Sequence, residues 1–145
     1  MKKKSKYFVD LFAGCGGLSL GLEKVGFHPV FVNELNKNAM DSYLINRKSI
    51  EPKLSLPNFH EYDIKKIVTS KGSIKKIIES LKNEFDISIK DGELDLVVGG
   101  PPCQGFSGIG YRRSYSVDKE QLPSNHLYQD MAWVVNKLKP KMFKG

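Results

Sequence analysis

The fold turns on Tyr7-Phe8-Val9-Asp10-Leu11-Phe12-Ala13-Gly14-Cys15-Gly16-Gly17. It is aromatic and β-branched as far as Phe12 and then becomes rich in glycine, which predicts a buried strand ending in a tight turn. Leu18, Leu20, Leu22 and Val25 continue into a helix that closes at Gly26. A second strand and helix follow, without an internal sequence repeat. His28 to Glu34 reads as a second strand, and Asn36 caps a helix carrying Met40, Tyr43 and Leu44 on one face and ending near Arg47. Residues 48–58, with Pro52 and Pro57, read as a loop before a short third strand from Phe59 to Ile64. Ser73 then precedes Ile74, Ile77, Ile78, Leu81 and Phe85, the stripe of an amphipathic helix. Lys90-Asp91-Gly92 is a turn, and Leu94 to Val98 is a fourth strand running into Gly99-Gly100-Pro101-Pro102. Residues 103–123 form a long connection of a kind uncommon unless functional. Leu127, Met131, Val134, Val135 and Leu138 make a last helix stopped by Pro140, after which Lys141-Met142-Phe143 opens a further strand. Strands alternating with helices predict an open, mostly parallel, doubly wound α/β sheet of about four to five strands.

Composition agrees with one globular domain over residues 1–145: 27% of residues are charged and 40% hydrophobic, with Gly 13 and Pro 7. No apolar run reaches the ~20 residues of a membrane span. Lys2 to Lys4 and Lys6 imitate the start of a signal peptide, but Asp10 interrupts the apolar stretch behind them. Cys15 and Cys103 lack metal-ligand spacing, so a reducing compartment and no metal are expected. The net charge of +7 suits a polyanion such as nucleic acid. Most of it is lysine, however, and scattered lysines equally suit solvated faces.

Three features carry chemistry. In the first turn, Gly14, Gly16 and Gly17 let the backbone approach a ligand, next to the partly positive N-terminus of a helix. Ser19 stands where a dinucleotide-binding turn would have its third glycine, which argues against NAD. Glu34, 20 residues after Gly14, is placed to accept hydrogen bonds from ribose hydroxyls, and Asp63 from the exocyclic amine of a base. A nucleoside cofactor accounts for acids and glycines at successive strand ends. Second, Pro101 and Pro102 hold Cys103 at the carboxyl end of the fourth strand, beside that pocket. Its thiolate is a candidate nucleophile, although no histidine is near in sequence, and a buried inert cysteine remains the alternative. Cys15 reads as structural. Third, Tyr111, Arg112 and Arg113 suit phosphate contact and base stacking as well as they suit a solvated loop.

Taken together, these residues resemble the cytosine-5 DNA methyltransferase family. Asp10-Leu11-Phe12-Ala13-Gly14-Cys15-Gly16-Gly17-Leu18 is similar to its motif I, Asn33-Glu34 to motif II and Asp63-Ile64 to motif III. Gly100-Pro101-Pro102-Cys103-Gln104-Gly105-Phe106-Ser107 is similar to the Pro-Cys motif IV, and Leu127 to Phe143 to motif V. The resemblance implies a Rossmann-like fold that binds S-adenosylmethionine. Phe12 would pack on the adenine, with Gly14, Gly16, Gly17 and Leu18 around the methionine end. Glu34 would hold the ribose and Asp63 the adenine amine, with Ile64, Gly100, Pro102 and Leu127 in the pocket. Cys103 would add to C6 of a cytosine flipped out of double-stranded DNA. Gln104, Ser107, Arg112 and Arg113 would close over the DNA.

The resemblance also implies a restriction-modification setting in a bacterial cytoplasm. In the family a Glu-Asn-Val tripeptide follows motif V, and a base-reading domain comes later. Neither lies within the 145 residues, so the expectation is an N-terminal part needing a complementary C-terminal polypeptide and inactive alone. It also predicts an unpaired edge on the fourth strand and an incompletely covered sheet. A transfer-RNA methylating relative and a non-catalytic cofactor-binding remnant are the alternatives.

Overall fold

A computed structural model describes residues 4–102 and 126–145. Its centre is a five-stranded sheet, all pairings parallel, formed by β1 (Lys6–Leu11), β2 (Phe27–Asn33), β3 (His60–Glu61), β4 (Leu96–Gly99) and β5 (Met142–Lys144) in the order β3-β2-β1-β4-β5. The helices are α1 (Gly17–Lys24), α2 (Lys37–Asn46), α3 (Ile64–Thr69), α4 (Ser73–Phe85) and α5 (Leu127–Leu138).

Strands buried on both faces have to be apolar along their whole length, and Phe8, Val9, Leu11, Val30, Val32, Val97 and Val98 are all buried. Val9, Leu11, Phe31 and Val97 pack against Ile64 and Ile67 of α3, Ile77 and Leu81 of α4, and Met131, Val134 and Leu138 of α5. A second cluster sets Val32 against Met40 and Tyr43 of α2, and a third sets Phe8, Leu96 and Val98 against Leu22 of α1. Between Phe8/Val9 the β1 register skips Val30 of β2, so Val30 and Phe31 enter the same cluster. Pro29, which has no N–H to give, sits beside that irregularity.

Asn36 caps α2 as expected, its side chain accepting from the Ala39 N–H at 3.0 Å. Gly26 follows α1 with a φ of 96°. Three expectations are corrected. The third strand is only His60–Glu61, because Asp63 accepts from the Lys65 N–H at 2.9 Å and caps α3. Pro52 and Pro57 each open a 3-10 turn within the expected loop, and the second turn takes Phe59 out of the strand. The fourth strand does not present a bare edge: β5 pairs with it from Leu96↔Met142 to Val98↔Lys144, anchored by the Lys141 N–H on the Leu94 carbonyl at 2.9 Å. Among the described residues β5 is the last strand on that side, and its Met142 and Phe143 are exposed. On α1 the leucine spacing does not mark the core. Leu18, Leu20 and Val25 are exposed, and the buried residue is Ser19.

Candidate cofactor cleft

β1 has β2 on one side and β4 on the other, so the chain leaves its carboxyl end in one direction and later returns in the other. Open α/β sheets bind ligands at such a switch point. Asn33 organises the place. It is buried, its Oδ1 accepts from the Phe12 N–H at 3.1 Å, and its Nδ2 donates to the carbonyls of Glu61 and Tyr62 at 3.0 and 3.1 Å. One side chain thus ties the ends of three strands. Phe12 leaves β1 with a φ of 56°, a left-handed conformation that is costly for an aromatic residue and is held here by its neighbours.

The resulting cleft has a volume of about 150 Å³. Phe12, Glu34, Asp63, Ile64, Gly100, Pro102 and Leu127 line it, together with Asn33, Leu35 and Tyr62. The first seven were named from sequence. Of the last three, Asn33 enters the sequence reading only as part of the motif II resemblance and not as a pocket residue, and Leu35 and Tyr62 read as loop residues. Glu34 accepts from the Gly14 N–H at 2.9 Å and the Asn36 N–H at 2.7 Å, so it bridges the glycine turn and the start of α2. The cleft therefore offers an aromatic ring, two carboxylates able to accept hydrogen bonds and an apolar wall. α3 and α5, which bring Ile64 and Leu127 to the cleft, are joined by an ion pair of 2.7 Å between Lys65 and the buried Asp130.

Gly14, Gly16, Gly17 and Leu18 are not part of this lining. Gly14 touches it through Glu34, whereas Gly16 turns its back to it. At a φ of 96°, a Cβ on Gly16 would lie 2.7 Å from both the Tyr43 ring and the Arg47 guanidinium. Behind the turn these residues belong to a buried polar network. The Ser19 hydroxyl donates to Asp10 at 2.5 Å and lies 2.6 Å from the Tyr43 hydroxyl. Arg47 stacks on the Tyr43 ring at 3.8 Å and donates to the carbonyls of Gly16 and Tyr43, both at 3.1 Å, and to Glu23 at 2.8 Å. Burial pushes the Asp10 carboxyl up to about 6, against the lowering effects of Ser19 and Arg47, while Glu34 and Glu23 add to the rise. Burial, then the Asp10 charge, also raises Tyr43.

Cys103, Gln104, Ser107, Tyr111, Arg112 and Arg113 lie outside the described residues. Cys103 directly follows Pro102, a cleft residue. Among the described residues Cys15 is a free, exposed cysteine, no cluster of metal-ligating side chains occurs, and no helix is long and apolar enough to cross a membrane.

The family model for C-5 cytosine-specific DNA methylases matches residues 7–144. The type II methyltransferase M1.HphI of Haemophilus parahaemolyticus is 30% identical over 94% of this chain and 30% of its own length. M.Sau96I of Staphylococcus aureus, also a type II methyltransferase, is 32% identical over 98% of this chain and 27% of its own. A solved E. coli chain, prophage-encoded and assigned as a DNA modification methyltransferase, superposes with a TM-score of 0.56 at 28% identity, covering 96% of this chain and 31% of that one. The chain spans between a quarter and a half of the length of such relatives. With a match over nearly all its residues and a sheet that agrees in architecture, the chain belongs to the C-5 cytosine-specific DNA methylase family.

Proposed function

We propose that this chain forms the S-adenosylmethionine cleft and carries the nucleophile of a DNA cytosine-5 methyltransferase of the restriction-modification type. The observation that carries the reading is the meeting of Phe12, Glu34 and Asp63, from three strand ends, in a cleft that is also lined by Pro102, the residue before Cys103. In this reading the Phe12 ring packs on the adenine, Glu34 accepts from the ribose hydroxyls and Asp63 from the adenine amine. Ile64, Pro102 and Leu127 exclude water from the base, and the glycine turn presents backbone to the methionine end. The bound donor supplies an electrophilic methyl group. The Cys103 thiolate adds to C6 of a flipped cytosine, which makes C5 nucleophilic. Once C5 is methylated, loss of its proton and expulsion of the thiolate restore the ring and the enzyme. Gln104, Ser107, Arg112 and Arg113 are assigned to the DNA side, and the positive net charge supports a polyanionic substrate.

The test is covalent trapping. Duplex DNA carrying 5-fluorocytosine has no C5 proton to lose, so with S-adenosylmethionine and the C-terminal half of a relative added to the chain it should give a protein–DNA adduct stable to denaturant, absent in Cys103→Ser. An adduct on fluorinated transfer RNA instead of duplex DNA would move the substrate to RNA. Cofactor binding without any adduct, including after addition of the C-terminal half of a relative, would favour a binding module.

A further inference from the structure

We propose that Asp10, Ser19, Tyr43 and Arg47 form a positioning network that sets the glycine turn from behind, and that protonation of Asp10 switches the turn between two arrangements. The inference deepens the cofactor reading above and rests on it only for what the turn binds. None of the four lines the cleft.

Mechanical coupling is direct because nothing separates the network from the turn. The Gly16 carbonyl takes hydrogen bonds from both the Leu20 N–H, at 2.9 Å, and Arg47, at 3.1 Å. The Gly16 backbone lies so close to Tyr43 and Arg47 that one added carbon would clash with both. Ser19 sits in the first turn of the helix that the glycines open. Any shift of the Tyr43–Arg47 stack therefore moves Gly16 and Ser19 together.

The direction of the hydrogen bonds supplies the switch. An ionised carboxylate only accepts, so with Asp10 charged the Ser19 proton is committed to it, and Tyr43 must donate to the Ser19 oxygen. A protonated Asp10 can itself donate to Ser19. The serine proton then turns toward Tyr43, and two hydroxyl hydrogens compete for one line of contact. Either the contact lengthens or the Tyr43 hydroxyl turns away. Asp10 is faced by Ser19 and Glu23 of α1, by Tyr43 of α2 and Arg47 just after it, and by Glu34 beyond β2. Arg47 favours its charged form, while the two glutamates and burial favour protonation near pH 6.

The test reads the turn without ligand. In NMR titrations of the chain, the amide resonances of Gly14, Gly16, Gly17 and Ser19 should move together with a midpoint near 6 in the wild type and stay flat in Asp10→Asn. Tyr43→Phe keeps the ring under Arg47 but withdraws a donor from the chain of hydroxyls, so its midpoint should rise. Turn amides that are silent in the wild type, or an unchanged titration in Asp10→Asn, overturn the proposal. If Asp10→Asn does not fold, an unchanged midpoint in Tyr43→Phe overturns it. Calorimetry with S-adenosylhomocysteine supplies the second arm. A cofactor that binds only the ionised arrangement should bind about fourfold more weakly near pH 5.5 than near pH 7.5, with no such difference in Asp10→Asn. Amides that titrate in a chain that binds no cofactor would sink the cofactor reading and leave the network standing. Equal affinities at both pH values in a chain that does bind would overturn the switch.

Discussion

Asp10 is a carboxylate that folding removes from water, and its neighbours only partly compensate. Its carboxyl rises from 3.8 to about 6, so between those values the folded chain binds more protons than the unfolded one, and this group's contribution to stability falls as pH rises. Asp10→Asn lacks that loss. Its stability relative to the wild type should therefore improve by about 1 kcal/mol between pH 5 and pH 7, a change that urea titrations at both pH values would read. A constant difference would show that Asp10 is charged throughout. This network was hidden in the sequence because its members lie far apart along the chain, with Ser19 and Tyr43 separated by 24 positions and Gly16 and Arg47 by 31. An isolated serine, tyrosine or arginine on a helix reads as an ordinary surface residue. Glu34 and Asp63 were legible because strand-end acids need only the end of a strand to be located, and the strands announce themselves by composition.

Asp63 shows how one residue serves an element and a site together. As the cap of α3 it accepts from the Lys65 N–H, and it also lines the cleft. Asparagine caps a helix as well as aspartate does, whereas alanine does not. Asp63→Ala should therefore cost about 1 kcal/mol in a denaturant titration, while Asp63→Asn should cost little and still weaken cofactor binding. Equal losses of stability in both variants would contradict the capping role. The helix itself is not legible in the sequence because its six residues, Ile64–Thr69, give less than two turns of periodicity, and Ile64 closes the stretch from Phe59 that reads as extended. Longer elements were legible: α4 and α5 repeat their buried residues at helical spacing over 13 and 12 residues. The β4 edge could not be judged from sequence, since pairing with β5 is long-range. That pairing leaves Met142 and Phe143 exposed on a three-residue edge strand. Replacing both by lysine should lower concentration-dependent association in sedimentation experiments and change stability by no more than about 0.5 kcal/mol. A larger loss would mean that their side chains support the sheet.

At the scale of the whole molecule, strand order decides where chemistry can happen. With β1 between β2 and β4, the ends of β1, β2 and β3 converge on one cleft, and the chain leaving β4 passes its mouth at Gly100 and Pro102. Alternating strands and helices predict an open parallel sheet but not this strand order, and the acids at successive strand ends point to a nucleoside. The sequence alone does not show which side of the glycine turn faces the cleft: Gly16 is pressed against Tyr43 and Arg47, and the cleft is built by Phe12, Asn33 and Glu34 instead.

The most direct test of this account is a calorimetric titration of the chain with S-adenosylmethionine, with NADH as the control and Asp63→Asn as the variant. One-to-one binding of S-adenosylmethionine, lost or at least about tenfold weaker in Asp63→Asn and absent for NADH, is the predicted result. A folded chain that does not bind S-adenosylmethionine, or binds it equally well without the Asp63 carboxylate, would contradict the assignment of this cleft.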